Sequence, residues 1–150
     1  MTGCVILPVF ILPETFTFEG GAQKVPLTME RWYAYGCVMC GLWSGMIIGF
    51  ITEYYTNNAW GPTLHLADAC DKGPAPNIIL GLALGYVSVV VPIICITITI
   101  AFAFAYAGMY GIGLSALGML GSLPVALSVD GYGPISDNAG GIAQMCGLPE

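Results

Sequence analysis

Residues 73–129 read GPAPNIILGLALGYVSVVVPIICITITIAFAFAYAGMYGIGLSALGMLGSLPVALSV and contain no Asp, Glu, Lys or Arg. A single helix of this length would be roughly 85 Å long, whereas the hydrocarbon core of a bilayer is about 30 Å thick. The stretch must therefore fold back on itself. We predict the break near Tyr106, Ala107 and Gly108, where the β-branched run ends and glycine becomes frequent.

A second uncharged stretch, residues 32–51, reads WYAYGCVMCGLWSGMIIGFI. As a helix it would be roughly 30 Å long, the thickness of one bilayer core. Aromatic residues typical of the membrane interface lie at both of its ends, namely Trp32, Tyr33 and Tyr35, and Tyr54 and Tyr55. Glycines recur every fourth residue at 41, 45 and 49, so we expect this helix to pack closely against a partner helix.

The composition agrees with a membrane protein. Charged residues make up 8% of the chain and hydrophobic residues 57%, so a soluble surface could not be covered. Three Lys and Arg against nine Asp and Glu leave a net charge of −6, which excludes a nucleic-acid binder. Cys37, Cys40 and Cys95 lie in apolar stretches, where we interpret them as packing residues rather than as a redox motif.

The predicted fold class is all-α: a multi-span transmembrane helical bundle of three full spans plus the end of a fourth. The spans are residues 32–55, 77–105 and 109–137, and residues 4–12 resemble the end of a truncated helix. Segment 13–31 and the tight turn near Gly108 share one side of the membrane, and loop 56–76 and tail 138–150 share the other. Lys24 and Arg31 against Lys72 weakly favour a cytoplasmic 13–31.

The tail of the last span carries the most specific candidate site. If the chain is helical there, Asp130 and Asp137 share one face, roughly 10 Å apart. Pro134 has no N–H, so the carbonyl of Asp130 loses its helical partner, and this oxygen with two carboxylates could bind a cation. The alternative is an ordinary helix end, in which Gly133 and Pro134 break the helix and Ser136 or Asp137 caps a short one that follows.

Other acidic residues carry weaker predictions. His65, Asp68, Cys70 and Asp71 match no standard metal-site spacing, and we interpret them as a solvated loop or short amphipathic helix. Glu53 directly follows a span and is expected to be an interfacial residue.

Five stretches together resemble membrane-bound, ion-pumping inorganic pyrophosphatases. They are residues 41–45 (GLWSG), 48–56 (IGFITEYYT), 81–86 (GLALGY), 116–120 (ALGML) and, most specifically, 132–143 (YGPISDNAGGIA). The resemblance extends from about residue 11 to residue 147. Val87 and Gln144 depart from it, where plant-type members would have Lys and Glu.

The resemblance implies large helical homodimers with two concentric rings of helices per subunit. Such proteins hydrolyse pyrophosphate with Mg²⁺ on the cytosolic side, by direct attack of water, and move protons or sodium ions. This chain would be an internal piece, with Asp137 binding magnesium pyrophosphate and Asn138 and Asp130 as neighbours. Loop 56–76 and the tail would then be cytosolic, and 13–31 non-cytosolic. The membrane would be vacuolar or of an acidic organelle in a eukaryote, otherwise the cell membrane, and K⁺ is a possible further cofactor.

Most of the ligands that such a site needs are absent from these residues. Pyrophosphate with several Mg²⁺ ions requires many carboxylates and lysines at once, so we expect the chain alone to be inactive. The alternatives are a small membrane protein without catalysis, and a cation channel or transporter that uses Asp130 and Asp137 without pyrophosphate.

Overall fold

The computed structural model describes residues 10–20 and 25–147. In chain order, the strands and helices are β1 (Thr15–Gly20), β2 (Val25–Glu30), α1 (Arg31–Thr56), α2 (Gly61–Cys70), α3 (Pro74–Met119), a 3₁₀ turn (Leu120–Ser122) and α4 (Leu123–Met145). The chain is thus mostly helical, as predicted. The predicted end of a truncated helix, residues 4–12, lies largely outside the described residues, as does Lys24, on which the charge argument depended.

The all-α prediction is wrong for the segment before α1, where β1 and β2 form an antiparallel hairpin. Thr15 pairs with Glu30 and Phe16 with Met29. Threonine and phenylalanine alternate along β1, and both residue types favour strands. The backbone N–H of Arg31 donates to the carbonyl of Glu14 at 3.2 Å, which joins the hairpin to the first turn of α1.

Helix α3 reverses direction at Gly108, within the segment where the sequence predicts a break. Gly108 has φ 55° and ψ −146°, a conformation that is essentially restricted to glycine. It divides α3 into a first limb, residues 74–107, and a second limb, residues 109–119. The two limbs meet closely, since a Cβ on Gly111 would collide with the carbonyl oxygen of Ala103.

Three helical limbs consequently lie side by side. The first limb of α3 runs antiparallel to α1, because Tyr33 stacks on Tyr106 with ring centroids 5.4 Å apart and Cys40 Sγ lies 3.9 Å from Thr99 Oγ1. The second limb runs parallel to α1 and contacts it closely at Ser115, Gly118 and Met119.

The contact between α1 and the second limb is a backbone-to-backbone crossing, which we call the glycine crossing (Gly41, Gly45, Ser115, Gly118). A Cβ on Gly41 would collide with the carbonyl of Ser115, and a Cβ on Gly118 with the carbonyl of Val38. A Cβ on Gly45 would lie 3.3 Å from the backbone of Met119. The predicted close packing of the α1 glycines is confirmed at 41 and 45. At Gly49 an added Cβ would meet none of the described atoms within 4 Å.

The hairpin covers the end of the bundle at which α3 reverses. Met29 of β2 is buried with Cys37 of α1 and Ala103 and Ala107 of α3. Phe16 of β1 contacts Tyr110 edge-to-face, with ring centroids 6.3 Å apart. Cys37 is fully buried in this apolar cluster and behaves as a small core residue, in agreement with the packing interpretation.

Helix α4 differs from the three-limb bundle in its burial, since none of its residues is buried. It continues through Pro134 to Met145, so the alternative of a helix broken at Gly133 and Pro134 is wrong, and most of the predicted tail 138–150 is helical.

Two helical stretches, residues Arg31–Cys70 and Pro74–Met145, are long and apolar enough to cross a membrane by length and composition. Large apolar side chains are exposed along them, for example Ile98 and Phe104. In water such a surface would be unfavourable, whereas lipid or further helices would cover it.

Candidate functional site

The three candidate ligands, Asp130, Asp137 and Asn138, all lie on α4 and are exposed. Because the helix is continuous between them, the two carboxylates are separated by two turns, roughly 10 Å, on one face. Asn138 immediately follows Asp137 and projects from an adjacent face of the helix.

Because of Pro134, the backbone carbonyl of Asp130 becomes a third available oxygen on this face. In a continuous α-helix the carbonyl of Asp130 would accept a hydrogen bond from the N–H of residue 134, which proline lacks. Two carboxylates and a carbonyl without a helical donor are all oxygen ligands, the type that hard cations such as Mg²⁺ prefer. The donor set therefore fits a hard divalent cation better than it fits a transition metal.

The site is incomplete within these residues. Across residues 10–20 and 25–147, no three or more His, Cys, Asp or Glu side chains are close enough together to hold a metal ion. The positively charged side chains among the described residues lie elsewhere. Arg31 pairs with Glu14 across 3.6 Å beside the hairpin, and Lys72 follows α2. A metal ion at this face would thus need ligands in addition to those of the described residues.

The weaker candidates stay apart from this face. His65 and Asp68 are exposed on α2, Asp71 follows it, and the thiol of Cys70 donates to the carbonyl of Leu66 at 3.6 Å. Of the two predicted arrangements, a solvated loop or a short helix, the structure has the short helix. Glu53 is exposed near the end of α1, and its backbone carbonyl accepts the N–H of Asn57.

A cavity of about 290 Å³ lies between α2 and the first limb of α3. Its lining is almost entirely apolar and includes Leu66, Leu80 and Leu84, with Tyr55 and His65 beside them. It contains no carboxylate, so it is separate from the candidate cation site.

The exposed tyrosines have a regular spacing that extends beyond the interfacial aromatics predicted for the first span. Tyr33 and Tyr54 of α1 are 21 residues apart, Tyr86 and Tyr106 of the first limb 20, and Tyr110 and Tyr132 22. Each separation corresponds to about 30 to 33 Å of helix, the thickness of a bilayer core. The spacing is present in the sequence and becomes interpretable once the structure places these tyrosines on long apolar helices.

The family described as inorganic H⁺ pyrophosphatase matches residues 1–150. The chain is 44% identical over 120 residues to the "K(+)-stimulated pyrophosphate-energized sodium pump" of Thermotoga maritima, covering 80% of the chain and 16% of that protein. It is 39% identical over 126 residues to the "K(+)-insensitive pyrophosphate-energized proton pump 2" of Moorella thermoacetica, covering 79% and 18%. The chain spans less than a fifth of the length of these relatives.

Proposed function

Because the chain belongs to the inorganic H⁺ pyrophosphatase family, we propose that it is a segment of a membrane pump that couples hydrolysis of pyrophosphate to ion transport. The relatives carry names of pyrophosphate-energized sodium and proton pumps, and these names support the activity. The observation that carries the assignment is the position of the motif of residues 132–143 on a continuous helix that presents Asp130 and Asp137 on one face.

We propose three membrane crossings, at residues 32–55, 77–105 and 109–137. The three tyrosine pairs support this, because each pair belongs to one crossing and has roughly the spacing of the two membrane interfaces, with Tyr86 nine residues inside the second crossing. The hairpin and the Gly108 turn lie at one end of the bundle, while α2 lies at the other. We assign the α2 end, with loop 56–76 and the segment from 138, to the cytosol, and the hairpin end to the opposite side.

In the proposed site, Asp137 and Asp130 bind the Mg²⁺ that accompanies pyrophosphate. The amide of Asn138 can donate a hydrogen bond to a phosphate oxygen. Bound Mg²⁺ would neutralise charge on the phosphates and polarise their oxygens. Holding the carboxylates on a helix fixes their positions before substrate arrives, so little reorganisation is needed during hydrolysis.

The remaining ligands come from other parts of the longer protein, and we propose that this protein acts as a homodimer. Whether it needs K⁺ and whether it moves H⁺ or Na⁺ would depend on residues outside this segment, since relatives of both kinds match it. The 150-residue chain by itself should release no phosphate from magnesium pyrophosphate.

The test is Asp137→Asn in the full-length protein, reconstituted in vesicles. Removing one preorganised charge contact should lower the rate of pyrophosphate hydrolysis by roughly 100-fold or more. Asp71→Asn is the matched control, because Asp71 is an exposed carboxylate on the same end but outside the motif. If both variants hydrolyse pyrophosphate at the wild-type rate, Asp137 is not a ligand. Ion flux that is independent of pyrophosphate would favour a cation channel instead.

A further inference from the structure

A second, smaller cavity of about 230 Å³ lies where the hairpin meets the start of α1. Its lining consists of three charged residues, one hydroxyl residue and one aromatic residue, namely Glu14, Glu30, Arg31, Thr15 and Trp32. Sites for drug-sized ligands are larger, about 300 to 1,000 Å³, so this cavity suits only a small group. Unlike the apolar cavity beside α2, it carries charges of both signs.

Main-chain pairing holds the charged residues of this cavity together. Thr15 pairs with Glu30 across the hairpin. The backbone N–H of Arg31 donates to the carbonyl of Glu14 at 3.2 Å. The backbones that carry both carboxylates and the guanidinium are therefore positioned before any ligand arrives, which lowers the entropic cost of binding one.

Charged groups of both signs remain available to a ligand here. The guanidinium of Arg31 lies 3.6 Å from a carboxylate oxygen of Glu14, which makes an ion pair but is too long for a hydrogen bond. The N–H donors of Arg31 are therefore not used up by Glu14. Glu30 is the N-cap residue of α1, yet its side chain makes no capping hydrogen bond. The lining thus offers donors to an anionic group and a carboxylate to a cationic group.

The cavity also lies at the depth of the lipid headgroups, if α1 crosses the membrane at residues 32–55 as proposed above. Arg31 is the last charged residue before the uncharged stretch 32–51. Trp32 is exposed, and its ring centroid lies 5.9 Å from the guanidinium carbon of Arg31. Tryptophan is enriched at the membrane interface. The small group with one positive and one negative charge that is abundant at this depth is the headgroup of a zwitterionic phospholipid.

We propose that this cavity binds the headgroup of phosphatidylethanolamine. The phosphate contacts Arg31, and the ammonium group donates hydrogen bonds to the carboxylate of Glu30 and, when Arg31 turns to the phosphate, to that of Glu14. Charge-assisted hydrogen bonds of this kind are the strong ones. The site faces the leaflet on the hairpin side of the membrane.

The lining distinguishes this headgroup from three other ligands. Two carboxylates against one guanidinium leave an excess of negative charge, which disfavours an anionic lipid. Within the part of the chain that the structure describes, no three His, Cys, Asp or Glu side chains are placed to hold a metal ion. Phosphatidylcholine has no N–H to donate, and the single ring of Trp32 is not the aromatic cage that recognises a quaternary ammonium group.

The test titrates the purified full-length protein, freed of bound lipid in detergent, with phosphatidylethanolamine or phosphatidylcholine of identical acyl chains. Native mass spectrometry counts the bound lipids and gives a dissociation constant for each. We expect the wild type to bind phosphatidylethanolamine about tenfold more tightly, because phosphatidylcholine cannot make the hydrogen bonds to the carboxylates.

Two substitutions should change the binding in different ways. Glu30→Gln removes the charged acceptor, so the two dissociation constants should come within about threefold of each other. Arg31→Gln removes the phosphate contact, which both lipids share, so both should bind more weakly while their ratio stays the same. Asp68→Asn is the matched control, since Asp68 is an exposed carboxylate on α2 at the other end of the bundle. It should bind both lipids like the wild type.

Equal affinities of the wild type for the two lipids would overturn the proposal. This is also the result expected if a side chain from another part of the longer protein fills the cavity. A Glu30→Gln variant with the wild-type preference would overturn it too. The wild-type comparison decides the question even if a variant does not fold. Lipid binding is measured separately from the hydrolysis test with Asp137→Asn, so the failure of one proposal is distinguishable from the failure of the other.

Discussion

Ser115 and Gly118 of the glycine crossing and the first residues of α4 belong to the same uncharged stretch, yet they differ in burial. At the crossing, two helix backbones touch, and Gly118 and Ser115 are buried. Along α4, none of the residues from 123 to 145 is buried, although this helix carries the motif with Asp137 and Asn138. Among the described residues, the part of the chain that sets the architecture and the part that carries the candidate ligands are therefore separate. Substitutions should therefore affect stability in one region and activity in the other.

The largest effect on stability is expected from a bulky side chain at Gly118. In Gly118→Leu the new Cβ would collide with the carbonyl of Val38, so the two backbones must separate. We expect a loss of roughly 4 kcal/mol or more of unfolding free energy, or failure to fold, because overpacking at this contact can be relieved only by moving backbone. Unfolding in mixed detergent would measure it. In the full-length protein, the same substitution should uncouple or abolish pumping.

Gly113→Leu is the control for this substitution. Gly113 lies in the same limb, and a Cβ there would meet none of the described atoms within 4 Å. Its variant should remain close to wild type in stability. If Gly118→Leu and Gly113→Leu unfold alike, or if pumping survives Gly118→Leu unchanged, the crossing does not have the importance that we assign to it.

Much of this architecture is predictable from sequence for a simple physical reason. An uncharged stretch as long as residues 73–129 cannot be one span, so a reversal is required, and glycine at 108 provides the conformation that the reversal needs. The close approach of α1 follows similarly from glycines at helical spacing. That Gly41 and Gly45 take part while Gly49 does not depends on where the second limb ends, which the spacing cannot show.

The errors have equally local causes. The hairpin was missed because β1 and β2 are six residues each and pair with one another, so their strand signal is short beside that of the long apolar helices. The sequence does not decide whether α4 continues through Pro134, because proline costs a hydrogen bond in any helix interior. In an apolar environment, however, leaving the helix would expose still more unpaired backbone groups, and the helix continues.

The candidate site is predictable only in part. The motif around Asp137 identifies the candidate ligand residues, and the continuous helix places Asp130 and Asp137 on one face. The number and position of the other ligands cannot follow from these residues, since the chain covers less than a fifth of its relatives.

A smaller loss of stability is expected from a substitution at Gly108, where α3 reverses direction. Gly108→Ala places a Cβ on a residue with φ 55°, which should cost about 1 to 3 kcal/mol. Gly131→Ala on the uncovered helix α4 is the comparison, because a Cβ there meets none of the described atoms and alanine favours a helix. Thermal unfolding should show a loss for the first variant and no loss, or a small gain, for the second. A loss of the same size in both would contradict the difference between the two regions.

The smallest effect on stability is expected at Ser44. This substitution is also the sharpest test of what stabilises the glycine crossing. Its hydroxyl is buried beside the crossing and has no hydrogen-bond partner among the described residues. Ser44→Ala removes an unsatisfied polar group, so we expect unfolding free energy to stay constant or rise by up to about 1 kcal/mol. Ser115→Ala instead removes a hydroxyl that donates to the carbonyl of Ile112 at 2.9 Å, and a small loss should follow. Equal losses in both variants would mean that the Ser44 hydroxyl stabilises the crossing through a hydrogen bond, and that close backbone packing alone does not hold α1 against α3.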